Sequence, residues 1–189
     1  GGPLEYVRLD EFRYLFEVNV FGLLGVTQAF LPLLHQGRGR IVNIGSIAGK
    51  VTTPLLGPYC ASKHAVEAMS DALRMELVQA GLYTSVVEPG VVATPIWDKA
   101  AEGPSPFEQM PPEGRVRYGR MAAAFARMIQ GAPTRAVPMS AVTDVVEHAL
   151  TAPRPRPRYL VGRDARVRLM LQTLLPRRWM DLLILRVFR

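Results

Sequence analysis

The chain has few of the residues that anchor several common chemistries. One cysteine, Cys60, stands in 189 residues, which excludes an internal disulfide and makes a cytoplasmic setting the default expectation. Its three histidines, His35, His64 and His148, lie far apart without metal-ligand spacing, so no metal site is expected. No glycine-rich turn stands between a strand-like run and a helix. "GLLG", Gly22 to Gly25, lies inside a helical pattern, and Gly37-x-Gly39 precedes an apolar run instead of following one. The phosphate cradle that opens dinucleotide-binding domains is therefore missing from these residues. No signal-peptide pattern begins the chain, and no uncharged run in the carboxy-terminal tail approaches the roughly 20 residues of a membrane span.

What is present suffices for a globular α/β domain. Hydrophobic residues make up 49% of the chain, enough for a sizeable core. A broad apolar face from Asp10, read as an N-cap, to Leu34 predicts a long helix, with "FEVNVFGLLGVTQAFLPLL" at its centre. Apolar runs at about 40 to 45, 84 to 88 and 158 to 161 read as strands. Helical spacing returns over 58 to 80, near Val116 to Gln130, and over "AVTDVVEHAL", where Ser140 is read as the cap. The stretch from Trp97 to Pro138 is rich in Pro, Gly and Met.

Chemistry enters with "GPYCASKHAVEAM", residues 57 to 69. Tyr59 and Lys63, four apart, fall on one helical face, so an ammonium can act on a phenol. Lowering a phenol by about three units from its usual pKa near 10 corresponds to roughly 4 kcal/mol. The pair alone is equally well read as a half-buried aromatic beside a surface charge. Upstream, "GRIVNIGSIAG" ends a strand-like run at Gly45-Ser46, delivering a hydroxyl to the carboxyl edge of a parallel sheet, where open α/β folds bind ligands. Downstream, "YTSVVEPGVVAT" is closed by Pro89-Gly90 and followed by Thr94.

In order and spacing, Ser46, the Tyr59-x-x-x-Lys63 pair, Pro89-Gly90 and Thr94 resemble the short-chain dehydrogenase/reductase family, from about Leu9 to Gly162, and most closely its retinol and hydroxysteroid dehydrogenase-like members. Asn19 in "NVFG" occupies the place of the family's helical asparagine. The resemblance implies a Rossmann-like, doubly wound parallel sheet. On that alignment the first four strands fall before Gly1, so the chain looks like the carboxy-terminal two-thirds of an enzyme. "RIVNI" would then be an exposed apolar edge, and the polypeptide alone is expected to fold poorly and to be inactive.

The implied activity is hydride transfer between NAD or NADP and an alcohol or carbonyl. Tyr59 would exchange the substrate's proton, and Lys63 would lower the phenol's pKa and hold the nicotinamide ribose. Ser46 would polarise the carbonyl, and Asn19 would anchor a water that relays protons to Lys63. Val92 and Thr94, after Pro89-Gly90, would contact the nicotinamide carboxamide. Residues 97–138 correspond to a substrate lid, whose apolar content suggests a lipophilic substrate. Helices 10–34 and 58–80 would build a homo-oligomer interface. The alternative is a non-catalytic product that works by binding a partner or a membrane.

Charge is unevenly placed. Residues 1–150 carry 13 Lys+Arg against 14 Asp+Glu, whereas 151–189 carry 10 against 2, net +8. Within this stretch, residues 163–189 read as a basic amphipathic helical tail beyond the domain of residues 1–162. The tail, with Trp179 and Phe188 as its large anchors, suits packing against the body or peripheral contact with a membrane. No recognition motif accompanies the charge, so nucleic acid is not expected as a partner.

Overall fold

A computed structural model describes residues 1–97 and 107–188. The three expected strands form one parallel sheet in the order β1-β2-β3: β1 is Arg40–Ile44, β2 Tyr83–Pro89 and β3 Arg158–Val161. Arg40 pairs with Tyr83 and Ile44 with Val87, and Val86 pairs with Arg158 and Pro89 with Val161. Alternation of side chains divides the sheet into two faces. Ile41, Asn43, Val86, Glu88 and Arg158 fall on one, and Val42, Val87, Tyr159 and Val161 on the other.

Both faces are covered, which makes the sheet doubly wound. On the first lie the long helix Leu9–Gly37 and α3, Gly57–Leu77, packing Leu31, Leu34, Leu73 and Leu77 over Ile41 and Leu82. On the second lies α5, Ser140–Thr151, with Val145, Val146 and Ala149 against Val87, Tyr159 and Val161. Three further helices pack on the segment that follows β1: α4, Pro112–Gln130, at Leu55, and α6, Arg163–Leu174, with α7, Arg177–Val187, at Ile47 and Val51.

Three local expectations need correction. The long helix is not uniform: α1, Leu9–Phe16, runs through a π-helical turn, Glu17–Phe21, into α2, Gly22–Gly37. Its N-cap is Arg8 with extended backbone, and Asp10 lies within the first turn, its carboxylate accepting from the Glu11 N–H at 3.0 Å. Likewise Ser140 is the first helical residue of α5, not its cap; the cap position is Met139, with no side-chain hydrogen bond. The helical tail is divided into two helices, because Pro176 lacks the N–H that continuation would need. Of its two expected anchors, Phe188 is buried against Leu55 and Ala124 while Trp179 faces solvent. Of the proposed lid, residues 98–106 lie outside the described residues.

By length and composition Leu9–Gly37 could also cross a membrane, with mean hydropathy 1.4. Much of its apolar surface, including Val18, Phe21, Val26, Phe30 and Leu33, is exposed. β1 is an edge strand of the sheet, and Ile44 is exposed at its end.

Candidate active site

The carboxyl ends of β1 and β2 deliver the residues singled out above. After β1, the Gly45 N–H donates to the Val87 carbonyl at 2.8 Å, which carries the chain over the sheet edge to Ser46. Ser46 is extended (φ −173°) and buried, and its Oγ accepts from the Ala48 N–H at 3.1 Å. Two glycines let this loop lie against α3. A Cβ at Gly45 would stand 2.7 Å from Glu67 Oε1, and one at Gly49 would stand 2.8 Å from both Glu67 Cγ and the Lys63 carbonyl. The loop returns to α3 through Leu55, a buried residue with left-handed backbone (φ 69°). Such a conformation costs about 1–3 kcal/mol and recurs at functional sites. Pro58 then sits in the first turn of α3, where a missing N–H is harmless.

Tyr59 in this first turn and Lys63 one turn later are both half-buried. Burial pushes the Tyr59 phenol above its ordinary value, and a hydrogen bond with the Ser46 side chain acts in the opposite direction. The expected lowering of Tyr59 by Lys63 is not what sets it. The Lys63 Nζ lies 5.9 Å from the Tyr59 ring centroid and donates to the Ile44 carbonyl at 2.9 Å. Burial lowers Lys63, and the carboxylate of Glu67 one turn further on counteracts this. Neighbouring Cys60 is buried with its thiol pushed up by desolvation, as suits packing and not a nucleophile.

Asn19 lies within the π-helical turn, a rare distortion frequent at functional sites. Its Nδ2 donates to Ser62 Oγ at 3.1 Å, and Ser62 Oγ donates to the Tyr59 carbonyl at 2.8 Å. Asn19 is thereby tied to the Tyr59 turn through Ser62, a fully buried residue that the sequence reading missed. Its signal was a small polar residue between Tyr59 and Lys63.

Across the edge, Pro89 ends β2 and the Gly90 N–H donates to the Val161 carbonyl at 2.8 Å. Gly90 sits where a Cβ would be 2.3 Å from Asp164 Oδ1, and the Val91 N–H donates to Asp164 Oδ2 at 3.2 Å. Val92 forms an isolated bridge with Val137 and accepts from Trp97 Nε1 at 2.7 Å. Thr94 is half-buried, its carbonyl accepting from the Trp97 N–H at 3.4 Å.

A second feature unforeseen from sequence lies beneath the site. Glu67 and Glu88, both almost wholly buried, share Arg158 and Lys50. Arg158 Nη1 contacts Glu67 and meets Glu88 at 2.6 Å, and its Nη2 meets Asp71 at 2.5 Å. Lys50 Nζ lies 3.0 Å from Glu67. Burial, and then the negative charge of Glu67, hold Glu88 above the ordinary carboxylate value. The network joins the Ser46 loop, α3 and the strand that ends at Pro89. Among the described residues, no group of histidine, cysteine and acidic side chains is gathered as a metal site would require.

Over its first 105 residues the sequence matches the family of short chain dehydrogenases. The chain belongs to that family. It is 36% identical over 185 residues to NADPH-dependent 3-dehydrocapnine reductase of Ornithobacterium rhinotracheale, covering 95% of this chain and 63% of the relative. Against retinol dehydrogenase 16 of Mus musculus it is 36% identical over 189 residues, covering 59% of that protein. A short chain dehydrogenase/reductase of Burkholderia phymatum, solved in complex with NAD, superposes with a TM-score of 0.70 at 28% identity over 90% of this chain and 60% of its own. The chain thus spans about 60% of the length of these short-chain dehydrogenase relatives.

Proposed function

We propose that the protein is an oxidoreductase that moves a hydride between a nicotinamide dinucleotide, NAD or NADP, and an alcohol or carbonyl on a lipophilic molecule. The observation that carries this reading is the meeting of Ser46 and Tyr59 side chains at the sheet's carboxyl edge, with the Lys63 ammonium 5.9 Å from the Tyr59 ring centroid. Ser46 and Tyr59 grip the substrate oxygen. Tyr59 donates a proton to it in reduction and accepts one in oxidation, a general acid–base step worth about 10²–10⁴-fold in rate. Lys63 holds the ribose beside the nicotinamide, and Asn19 anchors the water that returns protons towards Lys63.

The donor set suits the nicotinamide end of the cofactor: an ammonium, two hydroxyls and the Pro89, Gly90, Val92 and Thr94 backbone border one edge. When bound, the nicotinamide supplies or accepts the hydride. No glycine-rich turn for the diphosphate lies among the described residues. The lipophilic substrate is supported by Phe107, Met121, Phe125 and Met128, gathered near Leu55 between the Ser46 loop and α3, and by the retinol in the name of a relative.

The test follows NAD(P)H absorbance while the purified chain, joined upstream to the diphosphate-binding segment of a short-chain dehydrogenase relative, is offered NAD or NADP with retinol, hydroxysteroids and other hydrophobic alcohols. Turnover is expected, with about 10²–10⁴-fold loss in Tyr59→Phe. Equal rates in wild type and Tyr59→Phe, or no turnover with either dinucleotide, would overturn the reading.

A further inference from the structure

The tail helices α6 and α7 have two distinct sides. Inward, Ala165 of α6 and Met180 of α7 enter a single cluster with Ile47 and Val51, joined by Leu169 and Ile184. Phe188 continues the inward side of α7 into the cluster of Leu55 and Ala124. The sides of α6 and α7 opposite these residues are turned to solvent.

Those outer sides are apolar where a solvated helix is polar. On α6, Val167, Met170 and Leu174 are 50%, 52% and 71% exposed, at spacings of three and four that form one stripe. On α7, Trp179 and Leu182 are 64% and 52% exposed. Arg178 and Arg186 flank them, since helical rotation puts 178, 179, 182 and 186 on one side. Beside the α6 stripe runs an apolar groove of about 360 Å³, lined by Leu160, Leu169, Met170, Thr173 and Leu174 with Arg166 at its margin.

The charge on this face is almost all of one sign. Helices α6 and α7 hold six arginines, Arg163, Arg166, Arg168, Arg177, Arg178 and Arg186, and two acids, Asp164 and Asp181. Asp164 is turned inward, one oxygen on the Val91 N–H and the other buried. That leaves Asp181 against the arginines. Exposed tryptophan and leucine between arginines, beside a groove of acyl-chain character, match an interface with acyl chains below and anionic headgroups at its rim.

We propose that the outer face of α6 and α7 docks on an anionic lipid surface. Asp164, in the first turn of α6, also holds the Gly90–Val91 segment, so docking brings the active-site rim next to the bilayer. That consequence rests on the proposed function; the docking itself does not.

The experiment is co-sedimentation of the chain, cleared of aggregate by gel filtration, with vesicles of phosphatidylcholine alone and of phosphatidylcholine mixed with phosphatidylserine. Binding is expected to the mixed vesicles, weakening as salt rises. Arg178→Gln with Arg186→Gln should reduce it roughly 30-fold, at about 1 kcal/mol per arginine. Trp179→Ser with Leu182→Ser should reduce it by about tenfold or more. In Trp97→Phe, Trp179 becomes the sole tryptophan, and its emission should shift to the blue on the mixed vesicles alone. These substitutions lie on solvent-facing positions or outside the proposed chemistry, and unchanged far-ultraviolet circular dichroism verifies the fold.

Equal binding to neutral and mixed vesicles, or none to either by the folded chain, overturns the proposal. So does self-association abolished by Trp179→Ser without vesicle binding, which would make a second copy the occupant. Vesicle binding by the chain, with no dehydrogenase activity once it is joined to a diphosphate-binding segment, would leave the docking in place and sink the catalytic reading alone.

Discussion

Individual residues here are governed by how closely backbone and side chains approach. Tyr59 is the plainest case: its burial outweighs the Ser46 hydrogen bond, so its phenol ionises above the ordinary 10.0. Without added nucleotide, the tyrosinate absorbance of wild type minus that of Tyr59→Phe should therefore develop above pH 10.0. A difference signal centred near neutrality would show that Lys63 dominates instead. Gly45 makes a second prediction. A Cβ there meets Glu67 Oε1 at 2.7 Å and Val86 Cγ1 at 2.8 Å, so Gly45→Ala should destabilise by about 1–3 kcal/mol, read by urea unfolding. Displacement of the adjacent Ser46 should also lower activity by more than the lost stability explains.

Among the elements, the interface of α3 with the sheet carries unusual polarity. Asn43 Nδ2 donates to Ser70 Oγ at 2.8 Å, and Glu67, Glu88 and Arg158 fill the same layer. Arg158→Met would leave two buried carboxylates without their guanidinium, at an expected cost of about 3–5 kcal/mol, measurable by chemical denaturation. Glu88 behaves in the opposite sense. Its folded pKa is raised, so its proton stabilises the fold below the unfolded value, and that contribution is lost as pH rises through the folded one. Glu88→Gln should therefore gain melting temperature relative to wild type as pH climbs above the ordinary 4.5. Calorimetry at a series of pH values checks the sign. The strands were legible because β-branched runs alternate with helical spacing. The ion network was not, since Glu67, Glu88 and Arg158 are up to 91 residues apart and only the β2–β3 register and the packing of α3 on the sheet bring them together.

For the whole molecule, the outer side of Leu9–Gly37 is the largest question of solubility. Val18, Phe21, Val26, Phe30 and Leu33 are exposed along it, Met75 and Val78 are exposed at the end of α3, and β1 is a sheet edge. Apolar surface on this scale drives association. The chain is expected to sediment as concentration-dependent oligomers, and Phe21→Glu with Phe30→Glu should shift them towards monomer. A monodisperse wild-type monomer at high concentration would contradict this.

By itself the sequence determined the order of the candidate residues along the chain: Asn19, Ser46, Tyr59 with Lys63, and Pro89-Gly90 with Thr94. It did so because helical spacing and strand-ending turns are local rules that need no distant contact. It also determined the charge of the tail. Tertiary structure alone decided which groups meet. The π-turn that carries Asn19, the Ser62 link, the seating of the Ser46 loop on Glu67, and the inward turn of Phe188 against the outward turn of Trp179 all depend on packing between segments far apart in the chain. The phenol of Tyr59 belongs with them, because its burial is a property of the folded surroundings that sequence spacing does not supply.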